Sequence, residues 1–142
     1  MRNFFLSISI LSALLVTSTA IAQTTFPKEE GDKARYTVQI DFQKAYISGI
    51  GLMVCQDNAI VGSVFNEFGV SMLAFTYNPV KNKVKIINVV GNLNKWYIRR
   101  VLKKDLRMMM GVLRESGTTY VDEKYHITYT FTPLANSDDT EE

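Results

Sequence analysis

Side chains able to do acid–base or covalent chemistry are few, and their spacing does not favour it. The chain has one histidine, His126, and one cysteine, Cys55. His126 falls on the polar side of an alternating run at 125–132, with no serine or cysteine motif beside it to activate. It reads as a solvated or hydrogen-bonded side chain. Carboxylate pairs occur at Glu29-Glu30, Asp138-Asp139 and Glu141-Glu142, all in polar stretches without periodic apolar pattern. Such stretches cannot hold two carboxyl groups at the fixed separation that glycoside hydrolysis needs. Ser48-Gly49-Ile50-Gly51 has two glycines of a phosphate loop but lacks the third, and no helix follows. One His and one Cys also exclude zinc-finger and iron–sulfur sites. The sequence predicts a protein that is not an enzyme, with no catalytic residues, no metal and no cofactor.

The charge distribution is more informative. Residues 95–115 carry seven basic and two acidic side chains, although the whole chain has a net charge of only +2. A weak overall balance does not suit a nucleic-acid binder. At 100° per residue, Ile98, Val101, Leu102, Met109, Val112 and Leu113 share one helical stripe. Arg100, Lys103, Lys104, Arg107 and Arg114 take the opposite face. That face is either solvated surface or a contact for an acidic envelope partner or an anionic membrane. Each well-placed Lys or Arg adds ~1 kcal/mol near an anionic bilayer. Arg100, Lys103, Lys104 and Arg107 are the candidate contacts. Asp105 lies within the apolar stripe, so it needs a partner such as Arg99, Tyr97 or a sheet side chain. Met108-Met109-Met110 offers flexible thioethers, either as core filling or as an adaptable wall. Trp96, at the helix start, either anchors the helix or gates a cavity mouth.

Before these residues reach a mature protein, a leader must be removed. Arg2 begins a short positive region, 4–16 is apolar, and Ala20-Ile21-Ala22 is a small-residue cleavage site. The apolar run is shorter than the ~20 residues of a spanning helix. The expectation is a signal peptide at 1–22, cleavage between Ala22 and Gln23, and export, to the periplasm first of all. A 142-residue chain that is 46% hydrophobic and 21% charged suits one domain. Cys55 has no second thiol to pair with and reads as a small buried hydrophobe.

Periodicity supplies the scaffold. Residues 23–34 read as a flexible lead-in, 35–133 as a single domain and 134–142 as a disordered acidic tail. Alternation at 36–42 predicts a strand, followed by strands at 45–55, 59–65, 70–77 and 84–90 with short turns between them. Gly49 and Gly51 predict a bend or bulge in the second strand. Asn92 or Asn94 can cap a helix that ends before Gly117. A last hairpin covers 118–121 and 125–132. The expected fold is α+β: a curved antiparallel sheet of about seven strands, a half-barrel, with one amphipathic helix packed on it.

The stretch Ile47-Ser48-Gly49-Ile50-Gly51-Leu52, the turn Asn66-Glu67-Phe68-Gly69 and the strand Leu73-Ala74-Phe75-Thr76-Tyr77 share a recognisable rhythm. It resembles the half-barrel of the periplasmic lipoprotein carriers and outer-membrane lipoprotein acceptors. The resemblance covers about 36–90 and implies a sheet that cups acyl chains under covering helices. It supplies no catalytic residues. The leading expectation is an exported binding protein that holds an acyl chain, lipid or lipoprotein between sheet and helix. Its wall would be Ile50, Leu52, Phe65, Leu73, Phe75 and Met109. The alternative is a structural or interaction module with a solid core and the basic helix face as docking surface.

Overall fold

The computed structural model of the chain describes residues 26–135. The predicted leader, its cleavage site and the acidic tail from 136 lie outside the described residues. The fold is α+β, a curled antiparallel sheet of seven strands with one helix packed on it. The strands are β1 (Lys33–Asp41), β2 (Tyr46–Gln56), β3 (Ala59–Phe65), β4 (Ser71–Asn78) and β5 (Lys83–Val89). A helix, α1 (Trp96–Arg114), then leads to β6 (Thr119–Asp122) and β7 (Ile127–Pro133). Short turns force antiparallel neighbours. Between β2 and β3, Asp57 and Asn58 both take positive φ, at 56° and 64°, the conformation of a two-residue hairpin turn.

Sheet order is β5-β4-β3-β2-β1-β7-β6, so the last hairpin returns to pair beside the first strand. This leaves β5 and β6 as the two edges, and α1 packs against both. The inward sides of the strands meet the helix in one core that includes Tyr36, Val38, Ile40, Phe75, Tyr129 and Phe131. Cys55 is buried in it, and burial pushes its thiol pKa up.

Several sequence expectations shift by a turn or by a strand. The second strand keeps an unbroken register with both neighbours, so Gly49 and Gly51 make no bulge. The irregularities fall instead at Val64/Phe65, between β3 and β4, and at Ala74/Phe75, between β4 and β5. Neither Asn92 nor Asn94 caps α1. Residues Gly91–Leu93 form a 3-10 turn around buried Leu93, and the helix starts only after Lys95. At the other end Ser116, not glycine, takes the left-handed conformation, with φ 69°. Gly117 is needed for space: a Cβ there would lie 2.7 Å from Val112 Cγ1. The lead-in is tied down from residue 26 onward. Phe26 is buried edge-on against Tyr77, and the Gly31 N–H donates to the Cys55 carbonyl at 2.8 Å.

Two glycines test the packing in opposite directions. A Cβ at Gly62 would lie 2.5 Å from the Phe75 ring, which is fully buried, whereas one at Gly111 meets nothing within 4 Å. Gly62→Ala is expected to destabilise by about 1–3 kcal/mol through overpacking. Gly111→Ala, in an exposed helix turn, should stabilise by about 0.5–1 kcal/mol. Urea denaturation of each variant measures both signs.

Candidate functional site

Burying one face of α1 determines what the other face presents. Leu102, Asp105, Leu106, Met109, Met110 and Leu113 are buried, while Ile98, Val101 and Val112 are half-buried. Trp96, Arg100, Lys103 and Arg107 then follow one another at helical spacing of three or four residues on the outer side. Edge strand β5 and the turn before it run alongside and add Lys81, Lys83 and Lys85.

Two adjoining cavities of about 440 Å³ each lie along this seam. One is lined by Lys81, Lys83, Arg100, Lys103, Lys104 and Arg107. The other is lined by Lys85, Trp96, Arg99, Arg100 and Lys103. No acidic side chain lines either cavity. The structure therefore brings together the four basic residues singled out in the sequence. It adds three lysines whose contribution was not foreseen, because they reach the groove by sheet pairing rather than by helical spacing.

The basic side chains divide into those that hold the fold and those that do not. Arg99 donates to Asn94 Oδ1 at 2.8 Å and to the Ile86 carbonyl at 3.0 Å, clamping α1 to the edge of the sheet. Arg114 donates to Tyr77 Oη at 2.9 Å. Lys104 lies on the exposed face, as expected, and its ammonium also reaches Asp105 Oδ1 at 3.1 Å and Asp122 Oδ2 at 3.8 Å. Among the described residues, Arg100, Lys103 and Arg107 have no ion pair within 4 Å.

Asp105 finds its partner on the sheet, as required, but not in Arg99 or Tyr97. Tyr129 Oη donates to Asp105 Oδ2 at 2.7 Å. Asp105 Oδ1 and Asp122 Oδ2 are both buried without a hydrogen-bond partner, and Lys104 Nζ approaches both. The Asp105 carboxyl is pushed up to about 6, chiefly by burial and also by Asp122, while hydrogen bonds from Tyr129 and Lys104 oppose the shift. Burial also acts on Asp122, but neighbouring Asp105, the hydrogen bond from the Tyr125 N–H and the Lys104 ammonium outweigh it and hold its carboxyl below the usual range.

On the far side of α1 lies a third cavity of about 470 Å³, lined mainly by aromatic and aliphatic groups. Phe42, Trp96, Tyr97, Val101, Tyr125 and Ile127 form it together with Arg100. Trp96 is 73% exposed and stands edge-on to Tyr97 at 5.7 Å. Trp96 therefore flanks grooves on both sides of the helix rather than anchoring the helix in the core.

The six residues expected to wall a single ligand cavity do not face the same way. Leu73, Phe75 and Met109 are 0% exposed in the core between sheet and helix. Ile50, Leu52 and Phe65 alternate to the opposite face, and Ile50 pairs with Phe65 there, 41% exposed. An apolar strand has two sides, and composition does not say which is inward. His126 also moves: it sits in the β6–β7 turn with φ 56°, not on an alternating strand. It lines a surface depression with Asp41, Gln43, Glu123 and Thr128. Among the described residues, no three His, Cys, Asp or Glu side chains are grouped to hold a metal ion, and no helix is long and apolar enough to cross a membrane. Comparison with known protein families, curated proteins and solved structures finds no match for the chain.

The raised Asp105 carboxyl gives a pH dependence of definite sign. Below about pH 4 it is protonated whether folded or unfolded, while between 4 and 6 only the folded form keeps its proton. Its contribution to stability therefore falls as pH rises through about 6, by about 3 kcal/mol in full. Asp105→Asn keeps an acceptor for Tyr129 and removes the titration. The variant should be more stable than the parent at pH 7.5 by about 1–3 kcal/mol. Denaturation curves at pH 5 and pH 7.5 check whether that advantage shrinks in acid.

Proposed function

We propose that the protein is a non-enzymatic binding module of the cell envelope that docks onto anionic phospholipid surface through the cationic groove between β5 and α1. The observation that carries this reading is the division of the basic residues. Arg100, Lys103 and Arg107 line the groove without ion-pair partners among the described residues, while Lys81, Lys83 and Lys85 extend it along the sheet edge. An uncompensated row of cations is attracted to an anionic bilayer by ~1 kcal/mol for each well-placed charge. Exposed Trp96 and Tyr97 beside it are amphipathic side chains suited to the headgroup region.

The envelope location rests on the leader at 1–22, with Ala22-Gln23 as the processing site. The likeness to lipoprotein carriers and acceptors enters this proposal through the curled sheet and the covering helix. The complete burial of Leu73, Phe75 and Met109 favours the docking-surface alternative over an acyl chain held between sheet and helix.

Charge reversal tests the reading. Lys83 and Lys103 are exposed on opposite banks of the groove and are outside the Asp105 network. With both changed to Glu, binding to phosphatidylglycerol vesicles should fall by about tenfold or more at low ionic strength. The gap should narrow as salt screens the charges, and thermal stability should stay near the parent's. Co-sedimentation against phosphatidylcholine vesicles measures the charge-independent remainder. Equal vesicle binding by parent and variant would assign the groove to ordinary solvated surface or to an acidic protein partner.

A further inference from the structure

We propose that the aromatic groove and the cationic groove are two ends of one site, which takes a single anionic phospholipid molecule with its phosphate at Arg100 and one acyl chain between α1 and the β6–β7 turn. The proposal rests on the membrane-docking reading and adds a seat for a chain to it.

Arg100 is the hinge of the argument. It lines both cationic cavities and the aromatic one as well, and Trp96 is shared between the aromatic cavity and its cationic neighbour. In a phospholipid the phosphate and the start of the chain are a few bonds apart, so sites for the two must adjoin. Here they adjoin at one guanidinium. That guanidinium is free of ion pairs within 4 Å among the described residues, unlike Lys104, and takes no part in the clamps made by Arg99 and Arg114. Arginine's planar fork suits a phosphate, which it can meet with two parallel hydrogen bonds.

The other end has the composition an acyl chain needs. At about 470 Å³ it falls within the ~300–1,000 Å³ of small-molecule sites. Ile127, buried in the core, and half-buried Val101 give it a floor held by the fold. Phe42, Trp96, Tyr97 and Tyr125 form its walls, and no acidic side chain is among its lining residues. Three of those aromatic rings, Trp96, Tyr97 and Tyr125, are left substantially exposed beside a row of cations. An uncharged apolar ligand would make no use of Arg100, and a free phosphate would make no use of the aromatic walls.

Trp96 is the only tryptophan, so its emission reports on the groove directly. The protein would be titrated with dodecyl phosphate below its micelle concentration, with inorganic phosphate, and with dodecyl maltoside. The expected result is a saturable blue shift with dodecyl phosphate, none with inorganic phosphate at the same concentration, and about tenfold weaker binding of the maltoside. Tyr125→Ala, in an exposed turn, should weaken both dodecyl compounds by about tenfold. Arg100→Gln should weaken dodecyl phosphate alone, and both variants should keep the parent's melting temperature. No saturable shift, or a shift that neither variant alters, would overturn the single site. If that happens while vesicle binding still depends on Lys83 and Lys103, the chain seat fails and the docking surface stands. If dodecyl phosphate binds through Arg100 and Tyr125 while vesicle binding ignores the charge reversal, the seat stands and the docking surface fails.

Discussion

The curled sheet ends in two edge strands, β5 and β6, and a single helix packs against both. An open edge is a row of unpaired backbone groups, which proteins cover or charge to prevent strand addition. Here α1 does the covering, and Arg99 caps the Ile86 carbonyl of β5 directly. That requirement fixes the rotation of the helix about its axis. Once Leu102, Leu106, Met109 and Leu113 point inward, the ridge of Trp96, Arg100, Lys103 and Arg107 has to lie along the seam with β5. The groove is a consequence of closing the half-barrel.

A carboxylate in the buried stripe of such a helix needs compensation from the side that it faces. Asp105 obtains it from Tyr129 on β7 and from Lys104, its own neighbour on the helix. Asp122 brings the end of β6 into the same cluster and holds the Tyr125 N–H at 3.1 Å. One polar knot therefore connects the helix, both strands of the last hairpin and the turn that carries Tyr125. The aromatic groove uses that turn as a wall, so its shape is tied to the cluster that docks the helix. Charge on the two banks of the cationic groove has no such structural duty at Lys83 and Lys103, which lie outside that cluster.

Hydrophobic pattern alone recovered the scaffold. Alternation at Tyr36, Val38 and Ile40, and again at Ile127, Tyr129 and Phe131, identified strands and their inward sides, because a period of two admits no other regular element. The helical spacing of Arg100, Lys103 and Arg107 identified the outward ridge. It failed at Ile50, Leu52 and Phe65, where both sides of a strand are apolar and pattern cannot choose between them. It also placed the helix start too early, since burial of Leu93 in a 3-10 turn is a tertiary event that no capping residue announces.

The sequence by itself determined the element types, the antiparallel meander, the need for a partner at Asp105 and the cationic character of the helix, all of which follow from residues close together along the chain. Only the tertiary structure decided which strand lay beside that helix. Pairing β7 with β1 made β5 an edge, which set Lys81, Lys83 and Lys85 opposite Arg100 and Lys103. The same closure drew Phe42 and Tyr125 from distant turns to the flank of Trp96. Phe42 and Tyr125 are 83 positions apart in the sequence, and their convergence is set by strand pairing and core packing rather than by any local spacing.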